Sequence, residues 1–79
     1  MKVIVNIQLK AGVLDPQGKA VHHALSSLGF NEVGDVRIGK QIILQIDEED
    51  KAKAQTRVTA MCEELLANTV IENYEIELA

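Results

Sequence analysis

The sequence predicts an α+β domain in two layers, an antiparallel sheet with both helices on one face. Three observations carry this. Apolar residues alternate with period two near the start, in the middle and at the end of the chain. Two stretches of period 3.6 separate those runs. Each helical stretch is apolar along one side only, so both helices must cover the same sheet face. The resulting order, β-α-β-β-α-β, is ferredoxin-like, and right-handed crossovers favour a sheet with the first and third strands central. All 79 residues belong to one domain, 1–79.

Val3, Val5, Ile7 and Leu9 alternate with Asn6, Gln8 and Lys10, giving the first strand with one face buried. The chain then turns through Gly12-Val13-Leu14-Asp15-Pro16-Gln17-Gly18. Asp15 reads as an N-cap, and Pro16 falls at N1, where its missing N–H is harmless. Gly18 sits inside the first turn, where it is a poor helix former; it leaves room for close approach by another backbone. Val21, Ala24, Leu25 and Leu28 form one helical stripe, expected to pack on the sheet. Gly29 suits a left-handed C′ position, with Phe30 folding back on Leu25.

Val36 and Ile38 alternate with Asp35 and Arg37, predicting a second strand. Gly39-Lys40 reads as a hairpin turn, and Ile42, Leu44 and Ile46 continue the alternation beyond it. The acidic run Asp47 to Asp50 leads into a helix whose N-terminus favours negative charge. The second helical stripe is Ala54, Val58, Met61 and Leu65, widened by Cys62 and Leu66. Asn68 is placed to end that helix in the left-handed region, and Val70 and Ile71 are expected under the domain. Tyr74, Ile76 and Leu78 alternate with Glu75 and Glu77 in the last strand. The opposite sheet face would then carry Ile4, Asn6, Gln8, Arg37, Ile43, Gln45, Glu75 and Glu77, a surface able to meet water or a second copy of itself.

Totals limit the function. A chain of 79 residues buries only about 60% of the surface its unfolded form exposes, which points to support from oligomerisation. Cys62 is the only cysteine, so no disulfide framework exists, and a lone cysteine fits a reducing cytoplasm. Twelve acids against eight bases give a net charge of −4, which argues against a nucleic-acid partner. No run reaches membrane-spanning length.

Little in the sequence suggests chemistry. No glycine-rich phosphate loop and no paired-cysteine metal site is present. His22 and His23 are adjacent, so on a helix they point about 100° apart and read as surface residues. Cys62 lies beside the buried stripe without a histidine at helical spacing and reads as core. The residues alone describe an interaction module with no catalytic, cofactor-binding or metal-binding residues.

Lys10-Ala11-Gly12-Val13-Leu14-Asp15-Pro16-Gln17-Gly18-Lys19-Ala20-Val21 with Leu28-Gly29-Phe30, then Asp35-Val36-Arg37-Ile38-Gly39-Lys40, then Cys62 to Asn68 and Val70 to Glu77, resemble the PurS family end to end. PurS is the small subunit of phosphoribosylformylglycinamidine (FGAM) synthase. Three departures stand out: Ala11 and Thr69 replace usual prolines, and His22-His23 replaces a more acidic pair. The resemblance implies a small subunit of the ligase complex that converts formylglycinamide ribonucleotide (FGAR) to FGAM in de novo purine biosynthesis. In that complex the synthetase subunit (PurL) uses ATP and Mg²⁺, the glutaminase subunit (PurQ) releases ammonia, and the small subunit bridges them without a cofactor of its own. It also implies a homodimer or homotetramer, in the cytoplasm, with neither nucleic acid nor membrane as partner. The alternative is a ferredoxin-like module that senses a small molecule, since fold alone does not set function.

Given the resemblance, two loops become the candidate partner contact. One is the corner with Lys10, Gln17 and Lys19; the other is the hairpin with Arg37 and Lys40 beside Gly39. The second strand is expected to lead the hairpin tip back to the corner, concentrating positive charge suited to an acidic partner surface.

Overall fold

The computed structural model describes every residue, Met1–Ala79. The elements are β1 (Lys2–Leu9), α1 (Pro16–Ser27), β2 (Lys40–Gln45), α2 (Lys51–Met61) continuing into a π-helical turn over Cys62–Leu66, and β3 (Glu72–Leu78). The strands form one antiparallel sheet in the order β2-β1-β3. The α+β class and the antiparallel sheet are as the alternation predicted.

The core follows the alternation in β1. Val3 pairs with Leu44 and Leu78, and Val5 with Ile42 and Ile76, so apolar rows run across all three strands. Val3, Val5 and Ile7 are buried, packed with Val58 and Cys62 of the second helix and with Ala67 just after it. The opposite face is mostly polar, apart from Ile4 paired with the exposed Ile43, and its polar side chains are linked laterally. Gln41 Nε2 donates to Asn6 Oδ1 at 3.0 Å, and Asn6 Nδ2 donates to Glu77 Oε1 at 3.0 Å.

Four details differ from the sequence expectation. The first concerns Val36–Ile38, which joins no ladder within the chain, so no hairpin forms at Gly39-Lys40 and β1 alone is central. Backbone polar groups need partners, and this segment finds one at the corner instead: Ile38 N–H donates to the Asp15 carboxylate at 2.7 Å. Gly39 is accordingly no left-handed turn residue. It is needed because a Cβ there would press on the Ile7 carbonyl oxygen.

The second is α1. Its ends are as predicted: Asp15 accepts from Gly18 N–H at 2.8 Å. At the other end Gly29 has φ of 96°, and Gly29 and Phe30 donate to the Ser26 and Leu25 carbonyls in a Schellman motif. Yet α1 makes no extended contact with the sheet or with α2. Val21 is 40% exposed and Leu28 74%. What α1 does contact is the returning chain, where His22 Nε2 lies 2.9 Å from the Val33 carbonyl oxygen. Helix and return segment form an arm, and the molecule measures 48 × 24 × 14 Å.

The third is the end of the second helix. The Ala67 N–H donates to the Cys62 carbonyl at 3.1 Å, an i→i+5 bond. The extra residue in this turn rotates the side chains at its C-terminal end. Leu65, which a straight α-helix would place in the core stripe, is 82% exposed, while Leu66 and Ala67 turn inward. Leu65→Ser is therefore expected to leave a urea melt within about 0.5 kcal/mol of wild type, and Leu66→Ser to cost about 2 kcal/mol.

The fourth is the connection to β3. Asn68 is not left-handed; its side chain accepts from Val70 N–H at 3.2 Å. Val70 is 81% exposed and Ile71 also lies at the surface, so neither is tucked under the domain.

Candidate partner-docking site

The corner is built around one carboxylate. Asp15 is buried, and its two oxygens are divided between two segments: Oδ1 takes Gly18 N–H of α1, and Oδ2 takes Ile38 N–H of the return segment. These two backbone bonds, with Arg37 nearby, hold its carboxyl below the ordinary value of 3.8. An N-cap is thereby also the knot joining residues 10–19 to residues 36–40. The sequence supports the cap; its second ligand lies 23 residues away and leaves no local signal.

Arg37 supplies the other tie. Its Nη1 donates to the Val13 carbonyl at 2.8 Å and its Nη2 to the Lys10 carbonyl at 3.1 Å. The two loops converge as expected, but through this bridge rather than through a hairpin tip. Lys10 Nζ in turn donates to the Thr69 carbonyl at 2.8 Å. Arg37 and Lys10 are thus used by the fold.

Gln17, Gly39 and Lys40 are brought together around a cleft of about 200 Å³ that also includes Asp15 and Glu72. Lys40 stands 3.8 Å from Glu72, a pair half open to solvent and worth little to stability. Lys19 is exposed on the first turn of α1. Glu72 escapes a reading of the sequence because it looks like one more polar residue of an alternating strand. Beside Lys40 it makes the corner a mixed-charge surface, not the uniformly basic one anticipated.

Elsewhere the titratable groups are structural. Burial raises the Cys62 thiol pKa, which the adjacent Glu63 reinforces. Tyr74 donates its hydroxyl to Glu63 at 2.8 Å, and that bond raises its pKa. His22 is half-buried against the Val33 carbonyl rather than a free surface residue, while His23 is exposed. No three His, Cys, Asp or Glu side chains converge on a common point. No helix is long and apolar enough to cross a membrane.

These features define a small α+β domain that presents a rigid polar corner and an apolar arm. Its sequence matches the PurS family, phosphoribosylformylglycinamidine (FGAM) synthase, over residues 2–79. It is 56% identical to the FGAM synthase subunit PurS of Bacillus subtilis over 98% of this chain and 90% of that protein. The B. subtilis PurS crystal structure superimposes with a TM-score of 0.86 over 96% of this chain and 94% of that one. The structure of PurLQS from Thermotoga maritima contains a chain 37% identical, with a TM-score of 0.87 over 96% of this chain and 93% of that one. The chain belongs to the PurS family.

Proposed function

We propose that the chain is the small subunit of FGAM synthase in de novo purine biosynthesis. In this reading it bridges a PurL synthetase and a PurQ glutaminase during the ATP- and glutamine-dependent conversion of FGAR to FGAM. Family membership carries the subunit assignment and displaces the sensor alternative. ATP and Mg²⁺ are assigned to the synthetase; this chain's part is to hold surfaces in register. The assembly is placed in the cytoplasm.

The corner is the proposed docking site, with Lys10, Gln17, Lys19, Arg37, Gly39 and Lys40 as its elements. Asp15 and Arg37 fix its backbone, and Gly39 lets the return segment pass close to the Ile7 carbonyl of β1. Gln17, Lys19 and Lys40 present side chains outward. Arg37 is a poor probe of docking because removing it also loosens the corner. Lys19→Glu with Lys40→Ala avoids this and should leave the melt within about 0.5 kcal/mol of wild type. At subunit concentrations near the apparent Kd, it is expected to lower reconstituted FGAM formation about tenfold, through loss of charged contacts. Full activity under those conditions would place the docking surface elsewhere.

Self-association belongs to the same reading. Folded monomers of 8.7 kDa expose about 4,700 Å² and 79 residues pack to a radius of gyration of about 12 Å. This chain exposes 5669 Å² and has a radius of gyration of 16.0 Å. The excess is close to one side of a standard interface, about 800 Å² per partner. Light scattering at micromolar concentration is expected to give at least twice the chain mass.

A further inference from the structure

Resting on the subunit reading above, we infer that the π-helical turn and the loop after it form the apolar centre of the docking surface whose charged flank is the corner. Leu65, Val70 and Ile71 enter an apolar recess on the one FGAM synthase subunit that takes Lys19 and Lys40.

The corner alone is a rim without a centre. Gln17, Lys19 and Lys40 are the side chains it presents, and charges left in water steer association more than they hold a complex. Stable interfaces surround an apolar centre with such a rim. The two most exposed large apolar side chains of the chain, Leu65 and Val70, stand on this turn and loop, with the exposed Ile71 beside Val70.

The fold holds these side chains out. The i→i+5 bond from Ala67 N–H to the Cys62 carbonyl turns Leu65 away from the core. Such turns interrupt a regular helix and recur at functional sites. The loop is ordered by its own bonds. The Asn68 side chain accepts from Val70 N–H, and its carbonyl accepts from the Ile71 and Glu72 N–H groups at 3.0 and 2.7 Å. A loop fixed in this way loses little further freedom on binding, so its apolar side chains are already arranged for a partner.

The same loop is tied to the corner at three points. Lys10 N–H donates to the Ile71 carbonyl at 2.8 Å, and Lys10 Nζ to the Thr69 carbonyl at 2.8 Å. Glu72 makes the third tie: its Oε1 accepts from Asn68 N–H at 2.6 Å, and its Oε2 lies 3.8 Å from Lys40 Nζ. Val70 therefore stands between two residues held by the corner. Leu65 lies five residues earlier, at most about 17 Å of extended chain. A standard footprint of about 800 Å² is roughly 30 Å across and holds both. Along it the exposed charges change sign, from Lys19 and Lys40 at the corner to Glu64 beside Leu65. The partner surface that fits has an apolar recess with acid towards the corner and base towards the π turn.

The test titrates this chain into purified PurL, purified PurQ and their mixture over a salt series. Leu65→Ser with Val70→Ser is compared with Lys19→Glu with Lys40→Ala. Both pairs are expected to weaken binding to the same subunit. The apolar pair should lose about thirtyfold, through faster dissociation and equally at low and high salt. The charge pair should lose about tenfold, mainly through slower association at low salt. An apolar pair within twofold of wild type, with the charge pair weakened, would overturn the apolar centre and leave the corner standing. Losses on two different subunits would overturn the single surface. A lowered self-association mass for the apolar pair would assign the patch to a second copy of this chain and overturn the proposal. If wild type binds neither subunit nor their mixture, the bridging reading falls and the inference with it. A measurement on the unmodified chain guards against a variant that misfolds. Cross-saturation from the bound subunit is expected at the methyls of Leu65, Val70 and Ile71 and not at those of the buried Val3 and Val58. Bound chain without transfer to the three surface residues would overturn the proposal.

Discussion

Gly18→Ala is expected to undo the corner, although it puts the best helix former into a helix. Two effects oppose each other. Ala in place of Gly favours the helix by about 1 kcal/mol. Against this, the new Cβ would sit far inside contact distance of the Val36 carbonyl oxygen and crowd the Asp15 carboxylate at 2.9 Å. A flexible side chain could swing away, but a backbone carbonyl tied on its C-terminal side by Ile38 N–H and Arg37 cannot do so cheaply. Overpacking of this kind costs about 3 kcal/mol and outweighs the propensity gain. Because the arm is tied to the sheet mainly at this corner, the loss should be local first. Hydrogen exchange at Ile38 and Gly18 amides should accelerate by two orders of magnitude or more, while amides of β1 stay protected. Unchanged exchange would mean that the return segment can shift aside, and that the glycine answers some other need.

Asp15→Ala is expected to have the next largest effect, and acid should reproduce part of it. The substitution strips the acceptor from two backbone N–H groups in different segments at once, whereas an ordinary N-cap serves only its own helix. A fall in Tm on the order of 10 °C is anticipated. The pH dependence comes from the lowered carboxyl pKa. The unfolded chain binds this proton more readily than the folded one, so the stabilisation is complete above the ordinary value of 3.8 and is lost as pH falls below it. Wild type should therefore lose more stability than Asp15→Asn between about pH 5 and pH 2. Parallel pH profiles for the two proteins would show that another carboxylate controls the acid limb.

The elements were legible where local chemistry decides them. Asp15-Pro16, the Gly29 Schellman end and the alternation in β1 and β3 each require only neighbours in sequence. The resemblance was equally legible, since its motifs stand as contiguous strings, and the match over residues 2–79 accords with them. Leu65 shows where local pattern stops. Its spacing from Met61 is that of a core residue, and one i→i+5 bond at Ala67 is enough to turn it outward. Val36–Ile38 shows the same limit for strands. Its alternation suits a sheet, but the partners for its polar groups come from a corner more than twenty residues earlier.

The candidate site divides along the same line. Lys10, Gln17, Lys19, Arg37, Gly39 and Lys40 could be picked from the sequence as polar or permissive residues on two loops, and the fold does bring the loops together. Which of them support and which present was not readable. Arg37 and Lys10 became ties because backbone carbonyls of Val13, Lys10 and Thr69 happen to lie within reach, and Lys40 met Glu72 only through strand register.

By itself the sequence determined the class, the two caps of α1, the buried alternation of the sheet and the family, because each depends on residue type and short-range spacing. Only the tertiary structure decided that α1 leaves the sheet it was expected to cover. A one-sided apolar helix must be buried against something, and that requirement is the same whether the cover belongs to its own chain or to another. Periodicity records the need for a partner surface and not its address.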